Sequence, residues 1–225
     1  MQLKDIVPWG RTFEEYCLIF DLTPEDLKMK ILGCSDGPAS FNAELTAQNG
    51  QVVSVDPVYQ FNVDEIKSRI DSIYPEIMSQ VNQNAGDFIW ETIKNSQELG
   101  ATRMAAMTHF LTDYEKGKKT GRYINASLPS LPFDDNSFDL ALCSHYLFLY
   151  SDHVDLEQHL LSIRELCRVA REVRIYPLVS LKNVKSAHLD SVTKTLIDDG
   201  IKVNLKSVKY RFQKGATEML VAKAG

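Results

Sequence analysis

The chain has 225 residues, a formal net charge of -5, and 44% hydrophobic and 24% charged residues. These values are typical of one large soluble domain, and the acidic balance argues against a nucleic-acid partner held mainly through phosphate contacts. No apolar run reaches the ~20 residues of a membrane span and no secretory signal is visible, so we expect a cytoplasmic protein without a membrane partner. The four cysteines show no CxxC spacing, and we therefore expect no metal site.

The N-terminal segment, residues 1–28, is predicted to be helical. Apolar residues recur at helical spacing between Trp9 and Leu27, on a face formed by Phe13, Tyr16, Cys17 and Phe20. A helix-start pattern follows at residues 23–26, where a threonine is followed by a proline and two acids.

From residue 29 onward, strand and helix patterns alternate. The predicted strands are 29–33, 52–56, 122–126, 138–144, 172–179, 202–212 and 217–222, and the predicted helices are 39–48, 153–170 and 187–199. Residues from about 62 to 118 form a helical insertion, predicted as three runs at about 66–77, 88–99 and 104–114. The turn between the last two strands is too short for a crossover, so these strands must form an antiparallel hairpin. The pattern predicts a single α/β domain over 1–225, with a doubly wound, mostly parallel seven-stranded sheet.

The turn after the first strand is the strongest indication of a ligand. An apolar run stops at Gly33, Gly37 follows four residues later, and Pro38 then opens a segment with helical spacing. Such turns bind nucleotide-like ligands in open α/β sheets. Asp56 ends the second strand, where an acid accepts hydrogen bonds from ribose hydroxyls; the alternative is an ordinary turn residue before Pro57.

The chemistry of this turn narrows the ligand. The turn lacks the Gly-x-Gly-x-x-Gly pattern, because Ser35 and Pro38 interrupt it. A carboxylate at Asp36 would repel the pyrophosphate of a dinucleotide but suits a cationic cofactor without phosphate, such as S-adenosylmethionine. The simpler role for Asp36 is to stabilise the dipole of the following helix, and both roles can hold at once.

Three segments together resemble a known family. ILGCSDG at 31–37 and VSVD at 53–56 are similar to the glycine-rich and acidic motifs of class I S-adenosylmethionine-dependent methyltransferases. SLPFDDNSFDL at 130–140 resembles the segment before the family's fourth strand, and CSH at 143–145 follows it. The resemblance implies a Rossmann-like fold, S-adenosylmethionine as cofactor and methyl transfer as the activity.

The resemblance also implies the residues of the cofactor site. The methionine part would lie on Gly33, Ser35 and Gly37, the ribose on Asp56, the adenine on Pro57, Ala126, Ser127 and Leu128, and the sulfonium region on Cys143 and Ser144. Three positions depart from the family pattern: Ile31 and Ser127 replace acids, and Ser35 replaces a glycine.

The mechanism and the acceptor are less defined by the sequence. His145 lies just past the fourth strand, so it is the candidate general base; its alternative role is a polar cap on the strand. His109 and Tyr114 are weaker candidates, expected on a helix surface. The insertion is the expected cover of a small-molecule acceptor, with a helical mini-core or a homodimer contact as alternatives. The N-terminal residues Trp9, Gly10, Arg11 and Tyr16 would close over the cofactor carboxylate.

Two other classes of protein remain open at this point. One is an NAD-dependent oxidoreductase, which the pattern of Ser35, Asp36 and Pro38 disfavours. The other is a non-catalytic protein that binds the cofactor, or another nucleotide, and has lost the chemistry, since fold alone does not determine function.

Overall fold

The computed structural model describes residues 8–223, and this part contains seven strands and six α-helices around one sheet. The strands are β1 Lys30–Cys34, β2 Gln51–Val55, β3 Tyr123–Ile124, β4 Phe138–Ser144, β5 Ala170–Tyr176, β6 Lys202–Ser207 and β7 Glu218–Lys223. The helices are α1 Phe13–Ile19, α2 Phe41–Ala47, α3 Val63–Gln83, α4 Ser96–Lys119, α5 Leu156–Val169 and α6 Leu189–Asp198. Residues 1–7 of the predicted N-terminal segment lie outside the described residues.

The strand order is β3-β2-β1-β4-β5-β7-β6, which confirms the predicted doubly wound sheet. The first five strands pair in parallel, and β7 pairs antiparallel with both β5 and β6. The order reverses between β1 and β4, and ligands of such sheets bind at that point, outside the carboxyl ends of the strands. The hairpin and the helical insertion are therefore both present, as predicted.

Two apolar layers cover the sheet because neighbouring residues of a strand point to opposite faces. Leu32, Ala141 and Cys143 lie on the face that packs against α5 and α6. Ile31, Leu140 and Leu142 lie on the other face, under α1, α2 and part of α3. Strands buried on both faces read as continuous apolar runs, which is the pattern that predicted β4.

The N-terminal helix is shorter than predicted. It ends at Ile19 because the chain reverses at Asp21, whose φ is +46°. Asp26 and Thr23 exchange backbone-to-side-chain hydrogen bonds, so the predicted second start produces a short 3-10 turn, Asp26–Lys28. Arg174 of β5 then binds the Asp26 carboxylate and ties this turn to the sheet.

The insertion consists of two long helices, α3 and α4, rather than three helical runs. The helix predicted over 88–99 is wrong in its first half, because Phe88 forms a β-bridge with Gln213 and the Ile89 amide donates to Phe212 O. Because Phe212 pairs with this segment, it does not belong to the sheet. The strand predicted over 202–212 therefore ends at Ser207. None of the helices between residues 8 and 223 has the length and apolar character required to cross a membrane.

The remaining boundaries differ by a few residues. Helix α2 begins at Phe41, because Pro38 and Ala39 belong to the turn. The third strand is reduced to two residues, and β5 starts directly at Ala170, where α5 stops. These ends are set by pairing with neighbouring strands, which the local sequence does not encode.

Candidate active site

A cavity of about 690 Å³ opens at the carboxyl ends of β1, β2 and β4. Its walls come from the N-terminal segment, the turns after these three strands, the start and the C-terminal half of α3, and the segment before β7. This volume lies within the range of sites for cofactors and small molecules.

The turn after β1 uses two left-handed residues. Ser35 has a φ of +57° and Gly37 a φ of +51°, so the serine adopts a conformation that a glycine adopts without strain. The Ser35 amide donates to Val55 O (2.9 Å), and the Tyr59 hydroxyl donates to Gly37 O (2.7 Å). The turn is therefore held by β2 and by the segment that follows it.

Gly33 makes room for a side chain of its own turn. A Cβ on Gly33 would lie 1.8 Å from Oδ2 of Asp36, so any other residue would displace that carboxyl. Asp36 accepts hydrogen bonds from the Tyr16 hydroxyl (2.8 Å) and the Ser54 hydroxyl (2.6 Å). Burial is the main reason that the pKa of Asp36 rises to about 7, with a further contribution from Asp56.

Asp56 connects the β1 turn with the segment after β2. Its two oxygens accept hydrogen bonds from the backbone amides of Val58 (2.8 Å) and Gly37 (3.0 Å). Each carboxylate oxygen has a second lone pair, so the group retains acceptor capacity toward the cavity. Burial raises the pKa of Asp56 to about 6, so this carboxylate is ionised at neutral and higher pH.

His145 lies at the end of β4 with its backbone in the left-handed region, at a φ of +52°. Its Nδ1 lies 2.8 Å from the Ser144 hydroxyl, and its ring packs edge-on against Tyr176. Burial, together with the charges of Arg11 and Arg103, holds the pKa of His145 well below its usual range. The imidazole is therefore neutral near pH 7 and keeps one unprotonated ring nitrogen, although the lowered pKa makes it a weak base.

Arg11 brings a positive charge to the cavity wall. Its Nη1 donates to Trp9 O (3.2 Å), whereas its buried Nε has no hydrogen-bond partner. The segment before it packs closely on the β1 turn, because a Cβ on Gly10 would lie 2.1 Å from Pro38 O. Burial lowers the pKa of Arg11, which indicates a guanidinium with a poorly compensated charge.

The sequence of this chain is similar to known proteins. Residues 93–172 match the family described as "Methyltransferase domain", and this range includes β4 and His145. Over 225 residues the chain is 31% identical to the uncharacterized protein MJ0045 of Methanocaldococcus jannaschii, covering 98% of this chain and 97% of that protein.

This chain belongs to the class I S-adenosylmethionine-dependent methyltransferase family. Two solved structures are similar at low identity. A SAM-dependent methyltransferase from Aquifex aeolicus is 16% identical, with 94% and 93% of the two chains covered and a TM-score of 0.46. Magnesium protoporphyrin IX methyltransferase from Synechocystis PCC 6803 is 14% identical, with 94% and 76% covered and a TM-score of 0.47.

The structure brings most of the predicted cofactor residues to the cavity. Seven of them line it: Ser35, Gly37, Asp56, Pro57, Ser127, Leu128 and Ser144. Two others lie beneath the floor: Gly33 under the Asp36 carboxyl, and Cys143 buried beside Cys34 of β1. Ala126 packs against the core on the α5 side of the sheet.

The predicted side chains outside the cofactor set lie in different parts of the molecule. Trp9, Arg11, Tyr16 and His145 line the cavity. His109 is half exposed on α4, near Glu44, in agreement with the expected surface position. Tyr114 is not on the surface but buried, because its hydroxyl donates to the carbonyls of Tyr59 and Phe61.

One buried network of charged side chains was not predicted. The Arg103 guanidinium of α4 forms two hydrogen bonds with the Glu15 carboxylate of α1, and the Tyr210 hydroxyl also donates to Glu15. Burial opposes ionisation of Glu15, but the Arg103 charge lowers its pKa to about 2. The Thr12-x-x-Glu15 spacing of a capping box was a visible signal for Glu15, although not for its distant partners.

The end of the cavity under the insertion is mainly apolar. It is lined by Ile77 and Val81 of α3, Leu99 of α4, and Phe88 and Phe212 from the paired segments beyond them. Three polar residues, Asp87, Asn183 and Gln213, line the cavity beside Phe88. Phe88 stacks on Phe212 with ring centroids 4.8 Å apart. Met107, Phe110 and Tyr114 instead form a separate mini-core between α3, α4 and β3. The insertion therefore supplies both a cavity wall and a mini-core.

Proposed function

We propose that this protein transfers the methyl group of S-adenosylmethionine to a small apolar or planar molecule. The observation that supports this function is one cavity that joins a polar end, at the β1 and β2 turns, to an apolar end under the insertion. His145 lies on the wall of this cavity, directly after the last residue of β4. Such an arrangement would hold a cofactor and an acceptor side by side.

The residues at the polar end fit the cofactor. Arg11 has an unpartnered buried Nε that suits the carboxylate of the methionine part. Asp56 has free acceptor capacity for ribose hydroxyls, and Pro57, Ser127 and Leu128 line the adjacent wall where the adenine would lie. Gly33 and Cys143 would lie beneath the cofactor without touching it, where they shape the turn and the strand end. Ala126 would support the wall that contacts the adenine.

The cofactor, the positioning of the acceptor and His145 would each contribute to the reaction. Bound S-adenosylmethionine supplies an electrophilic methyl group on a positively charged sulfur. Holding the acceptor in line with that group contributes up to roughly 7–11 kcal/mol. The neutral imidazole of His145 would take the proton of an acceptor hydroxyl or amine, which adds about 10²–10⁴ in rate.

The apolar end favours an acceptor with an aromatic or aliphatic body. Its aromatic walls come from Phe88 and Phe212, which contact each other across two segments far apart in the chain. An apolar molecule is retained there by removing its surface from water, at about 25 cal/mol per Å². A polar group to be methylated would then lie toward His145.

Direct binding tests the cofactor half of this proposal. Calorimetric titration with S-adenosylmethionine, S-adenosylhomocysteine and NAD should show binding of the first two only, because Asp36 in the β1 turn lines the cavity and its carboxylate would repel a pyrophosphate. Binding of NAD alone would support an oxidoreductase. Absence of all binding at millimolar concentration would contradict the methyltransferase function.

A turnover assay tests the catalytic half. Once an acceptor has been found by screening apolar phenols, amines and carboxylic acids with labelled cofactor, His145→Gln should lower kcat by about 10²–10⁴. The affinity of the His145→Gln variant for S-adenosylhomocysteine should stay unchanged. An unchanged kcat in the folded variant would remove the base role, and no transfer to any acceptor despite cofactor binding would favour a non-catalytic binding protein.

A further inference from the structure

Asp36 has an unusual position for an acid in a turn. Its carboxyl lies over Gly33, at the floor of the cavity, and the side chain is 7% exposed. It lines the same cavity as Arg11 and Asp56. The carboxyl therefore belongs to the wall that a cofactor would contact, although its first function in the fold is to bind Tyr16 and Ser54.

Asp36 is connected to both groups that would hold the ends of the cofactor. The amide of the next residue, Gly37, donates to Asp56, the proposed ribose acceptor (3.0 Å). The Tyr16 hydroxyl donates to Asp36 (2.8 Å), and Tyr16 lines the cavity together with Arg11, the proposed carboxylate partner. The sulfonium is the first charged group beyond the ribose in S-adenosylmethionine, so this centre would lie nearest to Asp36.

We infer that Asp36 is the carboxylate that binds the cofactor's sulfonium and makes this protein prefer S-adenosylmethionine over S-adenosylhomocysteine. This inference rests on the proposed function. Ile31, where the family usually has an acid, supplies no carboxylate to the cofactor, so Asp36 is the acid of this turn. The product has an uncharged sulfur, so the attraction disappears once the methyl group has been transferred.

The charge balance of the reaction is consistent with this role. During transfer the carbon–sulfur bond breaks and its electron pair stays on sulfur, while the acceptor lone pair forms the new bond to carbon. The positive charge beside Asp36 is then lost, and the acceptor releases its proton to His145. A protonated Asp36 would suit the product complex, and an ionised Asp36 the cofactor complex.

The groups around Asp36 do not fix its charge, so the bound ligand decides whether the carboxyl is ionised. Four titratable groups act on it or are acted on by it: Tyr16 of α1, Cys34 of β1, Asp56 after β2 and Tyr59 of the following turn. Burial raises the pKa values of Tyr16 and Tyr59, and burial together with Cys143 raises that of Cys34, so these three are neutral near pH 7. Asp56 is the acid among them, and its ionisation opposes that of Asp36 until a cation arrives.

The decisive experiment compares both ligands on two matched variants by calorimetry at pH 8. Asp36→Asn keeps the size of the side chain and should weaken S-adenosylmethionine binding about 10- to 100-fold while changing S-adenosylhomocysteine binding less than about threefold. Asp56→Asn is the control, because both ligands carry the same ribose and should lose affinity equally. Equal loss of both ligands in Asp36→Asn, or no loss, would overturn the inference.

A measurement on the unmodified protein keeps the inference testable if Asp36→Asn fails to fold. Between pH 6 and pH 8, the affinity for S-adenosylmethionine should rise more steeply than the affinity for S-adenosylhomocysteine, as Asp36 ionises to meet the cation. Parallel pH profiles would contradict it. Failure of both ligands to bind the unmodified protein would instead contradict the proposed function itself, so the two failures are distinguishable.

Discussion

The two ends of the cavity are built in different ways. At the polar end, groups such as Asp36 and Asp56 each have defined partners on α1, β2 and the turns after β1 and β2, at hydrogen-bond distances of 2.6–3.0 Å. At the apolar end, Phe88 and Phe212 come from two segments far apart in the chain that a β-bridge joins, and their rings stack on each other. A directional site recognises one ligand strictly, whereas an apolar wall accepts a range of shapes.

This difference indicates where the protein tolerates substitutions. Removing one partner at the polar end leaves another polar group buried without a hydrogen bond, which costs about 1–3 kcal/mol. Trimming an apolar side chain at the other end costs mainly its lost burial. Substitutions at the two ends should therefore separate cofactor affinity from acceptor affinity.

The largest effect is expected in the buried network of Glu15 and Arg103, which lies behind the cavity wall at Tyr210. Glu15→Ala would leave Arg103, which is fully buried, without its carboxylate partner, and the free energy of unfolding should fall by about 3–5 kcal/mol. Urea unfolding measures this loss. The double variant Glu15→Leu/Arg103→Met serves as the control and should be much more stable than Glu15→Ala; equal instability would show that the buried charge is not the cause.

Gly33→Ala should destabilise the protein by about 2–3 kcal/mol, because the new Cβ and the Asp36 carboxyl compete for the same space. The variant should also lose affinity for S-adenosylmethionine. The matched experiment places the same substitution in an Asp36→Ala background and measures thermal unfolding of all four proteins. There the cost of the added methyl group should fall below about 1 kcal/mol, and an undiminished cost would mean that Asp36 is not the obstacle.

Asp56→Ala should weaken binding of S-adenosylhomocysteine by about 1.5–3 kcal/mol, since charge-assisted hydrogen bonds to the ribose are lost. Titration at pH 8 is the appropriate measurement, because burial raises the pKa of Asp56 to about 6 and the carboxylate is ionised there. In the unmodified protein the affinity should fall as the pH drops through about 6. Unchanged affinity in the folded variant would contradict the ribose assignment.

Phe88→Ala should have the smallest effect, a loss of stability of about 1–2 kcal/mol from reduced burial and from the lost ring contact with Phe212. Its affinity for S-adenosylhomocysteine should remain within about twofold, while the KM for an acceptor should rise. Leu161→Ala, an exposed position on α5, is the control and should change neither quantity. A large loss of cofactor affinity in Phe88→Ala would mean that the two ends are not separate sites.

The local sequence determined the alternation of strands and helices, the glycine turn and the acid at the end of β2. These features were predictable because an apolar run, a turn residue and a strand-end acid each leave their signal within a few residues. The parallel order and the terminal hairpin followed from connection lengths alone. The family resemblance in 31–37, 53–56 and 130–140 then indicated the cofactor.

The tertiary structure alone decided which groups meet. Glu15 binds Arg103 from 88 residues away and Tyr210 from 195 residues away, and no local pattern encodes such pairings. Asp36 appeared in the sequence as a ligand-facing or helix-stabilising acid, whereas its position over Gly33 and its bond to Tyr16 depend on how α1 packs on the sheet. Burial, which raises the pKa of Asp36 and lowers that of His145, is a property of the assembled fold, because it depends on every segment that excludes water from the site.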